Sequence, residues 1–588
     1  MVWCLSELTA PIKACILKGV IPFGKRGFTF ERMPMLKKKW SPYWILLLAQ
    51  GAWAQTLPSA GGQMQQLPTV PTAPASLAPI ELRSAPTPIA SEASGAVFKV
   101  HRLQVSGASV YPEADLLKRV GFVPDRDLSL QNLQAMADRI TQHYRENGYL
   151  LARAYLPAQE IREGVVTLVV LEGQYGQIKL NNTSTLNSQV PKDVLAGLNY
   201  GDVIALQPLE ERLLLLSDMP GVGIRSSLVP GSALGFSDLL VDVLPGARIS
   251  GSVDADNAGN RYTGEERIGG TVNLNNPTGR GDMASLRVLT SGHGLRYGRA
   301  AYQWPMGRGR VGVAYSDLAY RLGREFADLQ ANGHARTATL FGTYPWVRSW
   351  QNNLSAGLSL EAKSFQDRLD AEPSQTDKRA HVAVASLYGD RRDSLGGGGL
   401  STYWVALSAG SLDIKTPAAL ARDSASARTD GSFSKLGFAV SRLQRASPSI
   451  SFFAGLSGQV AAQNLDISEK LELGGMNGVR AYPEGEAYAD EGALLTLEVR
   501  KQLDVSAQSV GQVHLAAFMD AGTVKLHHQA WAAGAQRRHL SGAGLGVYWT
   551  QVRDFSVRAF YARKLGSEDA TSAPDKSGRL WVQGVKYF

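Results

Sequence analysis

Two side chains in this chain, Arg480 and Asp520, have types and settings that could act together. Asp520 sits in Phe518-Met519-Asp520-Ala521-Gly522, a strand-like apolar run in which an unpartnered carboxylate would be costly, so it needs a cation or water beside it. Arg480 lies in Gly474–Arg500 (GGMNGVRAYPEGEAYADEGALLTLEVR), whose front is too rich in Gly and charge for a buried strand. Its end places Leu495, Leu497 and Val499 on alternate positions, so the segment reads as a loop feeding a strand. A planar, permanently charged guanidinium can hold a carboxylate through two parallel hydrogen bonds, which fixes orientation as well as position. The expected ion pair Arg480–Asp520 would therefore clamp a loop to a strand.

Reaction chemistry finds no comparable support. There is no G-x-S-x-G elbow, no H-E-x-x-H, no metal-spaced His cluster and no Walker-type phosphate loop. His527-His528 reads as an exposed pair in a turn, solvated and not ligating. Catalytic residues, metal site and cofactor are each expected to be absent, which argues against a hydrolase on a barrel anchor. The formal charge of +9 is modest for 588 residues and gives no nucleic-acid footprint.

The elements that must position the pair are strands. From residue 249 to the end, Ile249, Gly251, Val253 and Ala255 alternate with Ser250, Ser252, Asp254 and Asp256. Ile268 to Asn275 and Leu354 to Glu361 repeat the same period of two. An apolar-out, polar-in dyad sustained over such a length suits a closed barrel in lipid, where no strand edge can be left unpaired. The mean hydropathy of −0.13 does not detect it, because alternation dilutes the apolar content. Asn276–Gly279 and Gly396–Gly399 read as turns, and Gln366–Lys378 and Arg422–Ser432 as long outer loops. Trp304, Trp346 and Trp350 fall where an interfacial girdle would.

Ahead of the barrel two units share one element order. The first has a strand Val97–Val105, helices Glu113–Val120 and Ser129–Asn147, and strands Tyr149–Leu156 and Val165–Leu171. The second has strand Tyr175–Leu180, helices Pro191–Ala196 and Pro208–Ser217, and strands Gly223–Val229 and Ser237–Val243. Each offers a strand edge that could take up an extended chain. Residues 55–96 are rich in Pro, Ala, Gln, Ser and Thr and read as an extended linker in which only Gly62–Leu67 could be helical. Residues 1–54 hold both cysteines, Lys37-Lys38-Lys39, the apolar run Trp44–Leu48 and Ala52-Trp53-Ala54 before Gln55, an export signal if synthesis starts at Met33 or Met35.

The Arg and Asp segments resemble the VRGY-type loop and the F-x-D-x-G strand motif of the outer-membrane transporters of two-partner (type V) secretion, the hemolysin/adhesin secretion-activation proteins of the POTRA-barrel superfamily. The loop motif stands here as Val479, Arg480, Ala481 and Tyr482, with Ala481 where the family has Gly; the strand motif is intact at Phe518, Asp520 and Gly522. The resemblance implies a transmembrane β-barrel of about 16 antiparallel strands, which residues 248–588 can supply at roughly 10 residues per strand. It implies two α+β POTRA domains before the barrel, at 97–172 and 173–247, and a loop 474–493 folded into the lumen. Phe588, closing the last strand, resembles the C-terminal signal through which the barrel assembly machinery would insert the chain.

The implied function is an outer-membrane translocator of a Gram-negative bacterium, with POTRA domains in the periplasm. It would capture a large secreted partner protein, pass it unfolded through the barrel and activate it, with the lipid bilayer as surroundings and no nucleic acid. The alternative is a barrel assembly factor of the same superfamily. Two POTRA-like units and the Pro-rich linker favour the transporter.

Overall fold

The computed structural model describes residues 57–71, 81–82, 97–505 and 511–588; the export signal and the start sites fall outside these residues. Sixteen strands close an antiparallel barrel. They are β1 (Ile249–Asp256), β2 (Arg267–Asn275), β3 (Met283–Thr290), β4 (Leu295–Met306), β5 (Gly309–Arg321), β6 (Ala331–Arg348), β7 (Asn352–Leu369) and β8 (Ser374–Asp393). The second half is β9 (Gly399–Ile414), β10 (Gly431–Arg445), β11 (Ile450–Ala461), β12 (Glu491–Gln502), β13 (Gln512–Lys525), β14 (Arg537–Gln551), β15 (Phe555–Lys564) and β16 (Gly578–Tyr587).

The dyad sorts side chains as the pleat requires. On β1, Ile249 and Val253 are 57% and 49% exposed on the outer face, whereas Ser252 and Asp254 are 1% and 2% exposed inside. Buried charge in the wall is paired: Arg287 of β3 holds Asp254 at 2.9 and 3.0 Å, and Arg267 of β2 holds Asp256 at 2.8 Å. The seam is short, with β1 meeting β16 from Ser252↔Tyr587 to Asp256↔Gln583. Beyond it Phe588 donates its N–H to the Gly251 carbonyl at 3.1 Å, and its ring covers the outer face of Gly251, where a Cβ would be 2.7 Å away.

The two expected outer loops are not both loops. β7 and β8 stay paired out to Leu369↔Ser374, so Gln366–Lys378 is a hairpin with a short turn. Its polarity misleads because a ladder beyond the hydrocarbon core needs no apolar face. Between β9 and β10 the connection opens with a helix, Pro417–Ser424, whose last turn takes up the start of the expected loop Arg422–Ser432.

The first periplasmic unit pairs Val165–Leu171 with Arg102–Ser106 and Arg153–Tyr155, under helices Glu113–Val120 and Leu130–Glu146. Gly121 ends the first helix in the left-handed region (φ 69°), and a capping box between Ser129 and Asn132 opens the second. The expected strand Tyr149–Leu156 shrinks to Arg153–Tyr155, because Tyr149 to Leu151 are used in turning off the helix. A short extra pair, Val97–Val100 with Arg126–Ser129, flanks the sheet. Its core is Leu103, Leu116, Leu133, Ile140, Tyr144 and Leu168. Full burial of such side chains is worth about 1.5–3 kcal/mol each.

The second unit sets Gln174–Asn182, Phe236–Pro245 and Val222–Pro230 under helices Gln189–Leu195 and Leu206–Ser217. The linker contributes a fourth strand, Glu81–Leu82, which pairs in parallel with Ser227 and Leu228 and so covers one of the edges expected to be open. This unit docks on the periplasmic rim of the barrel. Arg348 of β6 holds Asp218 through two bonds of 2.7 and 2.8 Å, and the Trp350 N–H donates to Glu210. Trp350 therefore belongs to this interface and not to a lipid girdle, whereas Trp304 and Trp346 remain exposed on the outer wall. The second unit enters β1 at Ile249, so that end faces the periplasm and the β11–β12 connection is extracellular.

Candidate functional site

The β11–β12 connection, residues 462–490, turns back into the barrel. It begins well before the expected Gly474 and ends before Glu491, because the stretch ahead of the glycines is anchored as firmly as the tip. At the tip, Val479 and Tyr482 are fully buried, and the Tyr482 N–H closes a turn onto the Val479 carbonyl at 3.0 Å.

Arg480 is 4% exposed and has three kinds of partner. Its Nε and Nη2 donate to the two oxygens of Asp520 at 2.8 and 2.7 Å, and its own backbone N–H reaches Oδ2 at 3.2 Å. Its Nη1 donates to Glu498 at 2.8 Å. The guanidinium lies over the Phe518 ring, 3.4 Å from the centroid, with Phe560 at 4.9 Å. The Trp581 indole N–H, from the last strand, donates to the Arg480 carbonyl at 2.7 Å.

The spacing of the strand motif follows from the pleat. Phe518, Asp520 and Gly522 alternate on β13 and share its inner face: the ring supports the guanidinium, the carboxylate grips it, and the glycine leaves room. A Cβ on Gly522 would stand 2.4 Å from Leu473 Cδ1 of the returning segment. Ala481, where the family pattern has Gly, is accommodated by a glycine on the facing wall: a Cβ on Gly542 would be 2.5 Å from that of Ala481. The Tyr482 hydroxyl donates to the Glu568 carbonyl at 3.0 Å.

Glu498 is the member of this clasp that sequence reading missed. It is 5% exposed, also accepts from Arg500 at 2.8 Å and Tyr548 at 3.0 Å, and sits opposite Phe518 in the β12–β13 register. Within the sequence it is one polar member of an alternating strand; only the register gives it a partner.

A second anchor holds the front of the segment. Lys378 of β8 pairs with Asp466 at 2.6 Å, and Lys363 of β7 and Lys435 of β10 pair with Glu469 at 2.7 and 2.9 Å. Against this turn rests a helix, Ala60–Gln65, within what reads as linker. Too short to persist alone, it is held by its surroundings. Asp367 accepts from the Ala60 N–H at 2.7 Å, Thr263 donates to Gln63 at 2.8 Å, Arg267 to the Gln66 carbonyl at 2.8 Å, and Gln66 to the Tyr488 hydroxyl at 2.6 Å. Gly61 allows the close approach: a Cβ there would be 2.9 Å from Ser468 Cβ.

Among the described residues no group of three or more His, Cys, Asp or Glu is placed to hold a metal ion. His527 and His528 are half-buried, and His528 is paired with Glu491, so neither stands free in solvent.

A sixteen-stranded barrel fed by periplasmic α+β units, with a returning segment clasped to its inner wall, defines an outer-membrane transporter of the POTRA-barrel type. The profile of the haemolysin secretion/activation protein family ShlB/FhaC/HecB matches residues 235–549, and that of the ShlB-type POTRA domain matches 98–173. The chain belongs to that family. It is similar to the heme/hemopexin transporter protein HuxB of Haemophilus influenzae strain 86-028NP, 29% identical over 470 residues that cover 79% of this chain and 82% of that protein. The outer membrane transporter CdiB of Dickeya dadantii is 24% identical over 468 residues, covering 77% and 80%. Among solved structures, CdiB from Escherichia coli shares the fold with a TM-score of 0.67 at 23% identity, over 86% of this chain and 94% of that one.

Proposed function

We propose that the chain secretes, and activates, one large partner exoprotein, received in the periplasm by the POTRA domains and passed unfolded through the barrel. The observation that carries this reading is a lumen occupied by a returning segment and a short helix, the segment held to the wall by ion pairs and buried apolar side chains and the helix by hydrogen bonds and a small apolar contact. The Arg480–Asp520 pair, with Glu498, pins the segment in the conformation that translocation requires. Phe588, lying over Gly251 at the seam, supports a role as the terminal signal read by the barrel assembly machinery. No catalytic step and no bound nucleotide are assigned. Relatives that carry names of transporters favour this reading over that of a barrel assembly factor.

The test is a deletion strain. Loss of a single large exoprotein from the medium, with other outer-membrane barrels at normal levels, is the expected result. General loss of barrels would instead assign the chain to assembly.

A further inference from the structure

The outer wall is not uniform around its extracellular rim. On β4–β8 the apolar rows that face hydrocarbon, such as Val313↔Leu340↔Leu360↔Ala383, give way toward the outer ends to Arg296, Arg321, His334, Arg336, Arg368 and Arg379. All six are exposed and occupy outward positions of the pleat.

Strand register sets them in three successive rows. Arg336 and Arg379 flank Ser364; His334 adjoins Ala319, which Arg296 faces; Arg321 and Arg368 flank Asn332. Successive rows lie about 7 Å apart along the strands, and flanking residues about 10 Å apart across them.

The acidic groups nearby are already engaged. Asp317 is taken by Arg336 at 2.8 Å, Asp377 by Gln366 and Gln375 at 2.9 and 2.6 Å, Asp370 by Asn332 at 2.8 Å, and Asp413, opposite Arg379 in the register, by Lys415. Among the described residues, Arg296, Arg321, Arg368 and Arg379 have no carboxylate within ion-pair distance. The outward positions at the corresponding ends of β1–β3 carry Ala255, Ile268, Val288 and Thr290, with no basic side chain.

Arginine is tolerated on a lipid-facing wall only near the interface, and a guanidinium without a carboxylate is matched best by phosphate, which it grips through two parallel bonds. The anion available at that depth on the extracellular side is the phosphorylated disaccharide headgroup of the outer-leaflet glycolipid. We propose that the outer rim of β4–β8 binds that headgroup, lipid A, through its phosphates, so that this arc is the glycolipid-bound side of the transporter and β1–β3 the bare side.

The experiment is native mass spectrometry of the full chain in nanodiscs of a zwitterionic lipid, titrated with bisphosphorylated lipid A and with the same lipid dephosphorylated. Wild type is expected to retain the phosphorylated form at least tenfold more tightly. The triple variant Arg321→Gln, Arg368→Gln, Arg379→Gln should lose about tenfold of that preference, its barrel judged folded by heat-modifiable electrophoretic mobility. Equal retention of the two lipids by wild type, equal retention of phosphatidylglycerol, or an unchanged preference in a folded triple variant would each overturn the proposal. The wild-type comparison decides the matter even if the variant does not fold.

Discussion

Replacing Asp520 with Ala isolates the clasp from the barrel that carries it. The change removes two bonds from the Arg480 guanidinium at 2.7 and 2.8 Å, one from its backbone N–H and one from Thr496, all to a carboxylate with no exposed surface. Removing one partner of a buried ion pair costs about 3–5 kcal/mol. Arg480 would keep Glu498 at 2.8 Å, so the lower end, about 3 kcal/mol, applies here. That shifts the balance between pinned and released segment by about two orders of magnitude. The strand ladder is untouched, because Asp520 pairs with Thr496 and Gly542 through its backbone.

Pulse-labelled cells should therefore show normal heat-modifiable barrel in the outer membrane, reduced partner protein in the medium and a returning segment newly open to external protease. Wild-type export together with an equally protected segment would refute the reasoning. The exchange Arg480→Asp with Asp520→Arg sharpens the test. It should not restore export, because the introduced carboxylate would lie against Glu498; full rescue would remove Glu498 from the clasp.

Three further perturbations follow from the geometry. Gly542→Ala places a Cβ 2.5 Å from that of Ala481, an overpacking of about 1–3 kcal/mol; it should lower export, and adding Ala481→Gly should restore it, as a double-mutant cycle would show. Gly61→Val cannot seat the helix Ala60–Gln65 against Ser468, so planar-bilayer recordings should show a larger basal conductance than wild type, and an unchanged conductance would count against the helix as an obstruction. In the first POTRA domain, burial alone would raise the Glu172 carboxyl. Bonds from the Ser109 hydroxyl, the Ser109 and Val110 N–H groups and the Tyr144 hydroxyl nevertheless hold it below the usual range. A lowered folded-state value stabilises fully above the unfolded one, about pH 4.3, and the contribution is lost as pH falls through the lowered value. The protection factors of the Ser109 and Val110 amides should accordingly fall only in acid, whereas Glu172→Gln should weaken their protection at neutral pH by about 1.5–3 kcal/mol.

What could be read in advance was whatever the chain states locally. The period of two survives in β1 because each inward Ser or Asp has an outward Ile, Val or Ala beside it. Gly121 ends its helix because only a residue tolerant of positive φ fits there. The Arg480 and Asp520 segments were recognisable because a carboxylate in an apolar strand requires a cation. What escaped notice depends on register and enclosure. Glu498 acquires meaning only opposite Phe518, and Asp466 and Glu469 only beside lysines some 30 to 110 residues away in sequence. The helix Ala60–Gln65 overlaps Gly62–Leu67, the one stretch of the linker that could be helical, but it contains two glycines and nothing in its own sequence would fold it; the lumen supplies its partners.

The two lumenal segments differ in what holds them, and the difference orders their release. The helix is tied by hydrogen bonds with Asp367, Thr263, Arg267 and Tyr488, worth about 1 kcal/mol net each, or about 1.5–3 kcal/mol where Asp367 and Arg267 take part, all of which water can replace, and the one apolar side chain it buries completely is the small Ala60. The tip of the returning segment buries Val479, Ala481 and Tyr482 completely and places an arginine between two carboxylates over an aromatic ring. Withdrawing it would expose apolar surface and leave charge uncompensated in the wall, costs that water does not refund. A chain arriving from the periplasm therefore meets the helix as the weaker obstruction. Since Gly61 rests on Ser468, and Ser468 on the turn held by Lys363, Lys378 and Lys435, displacing the helix first frees one face of the turn that fixes the front of the segment, while Arg480 still holds its tip.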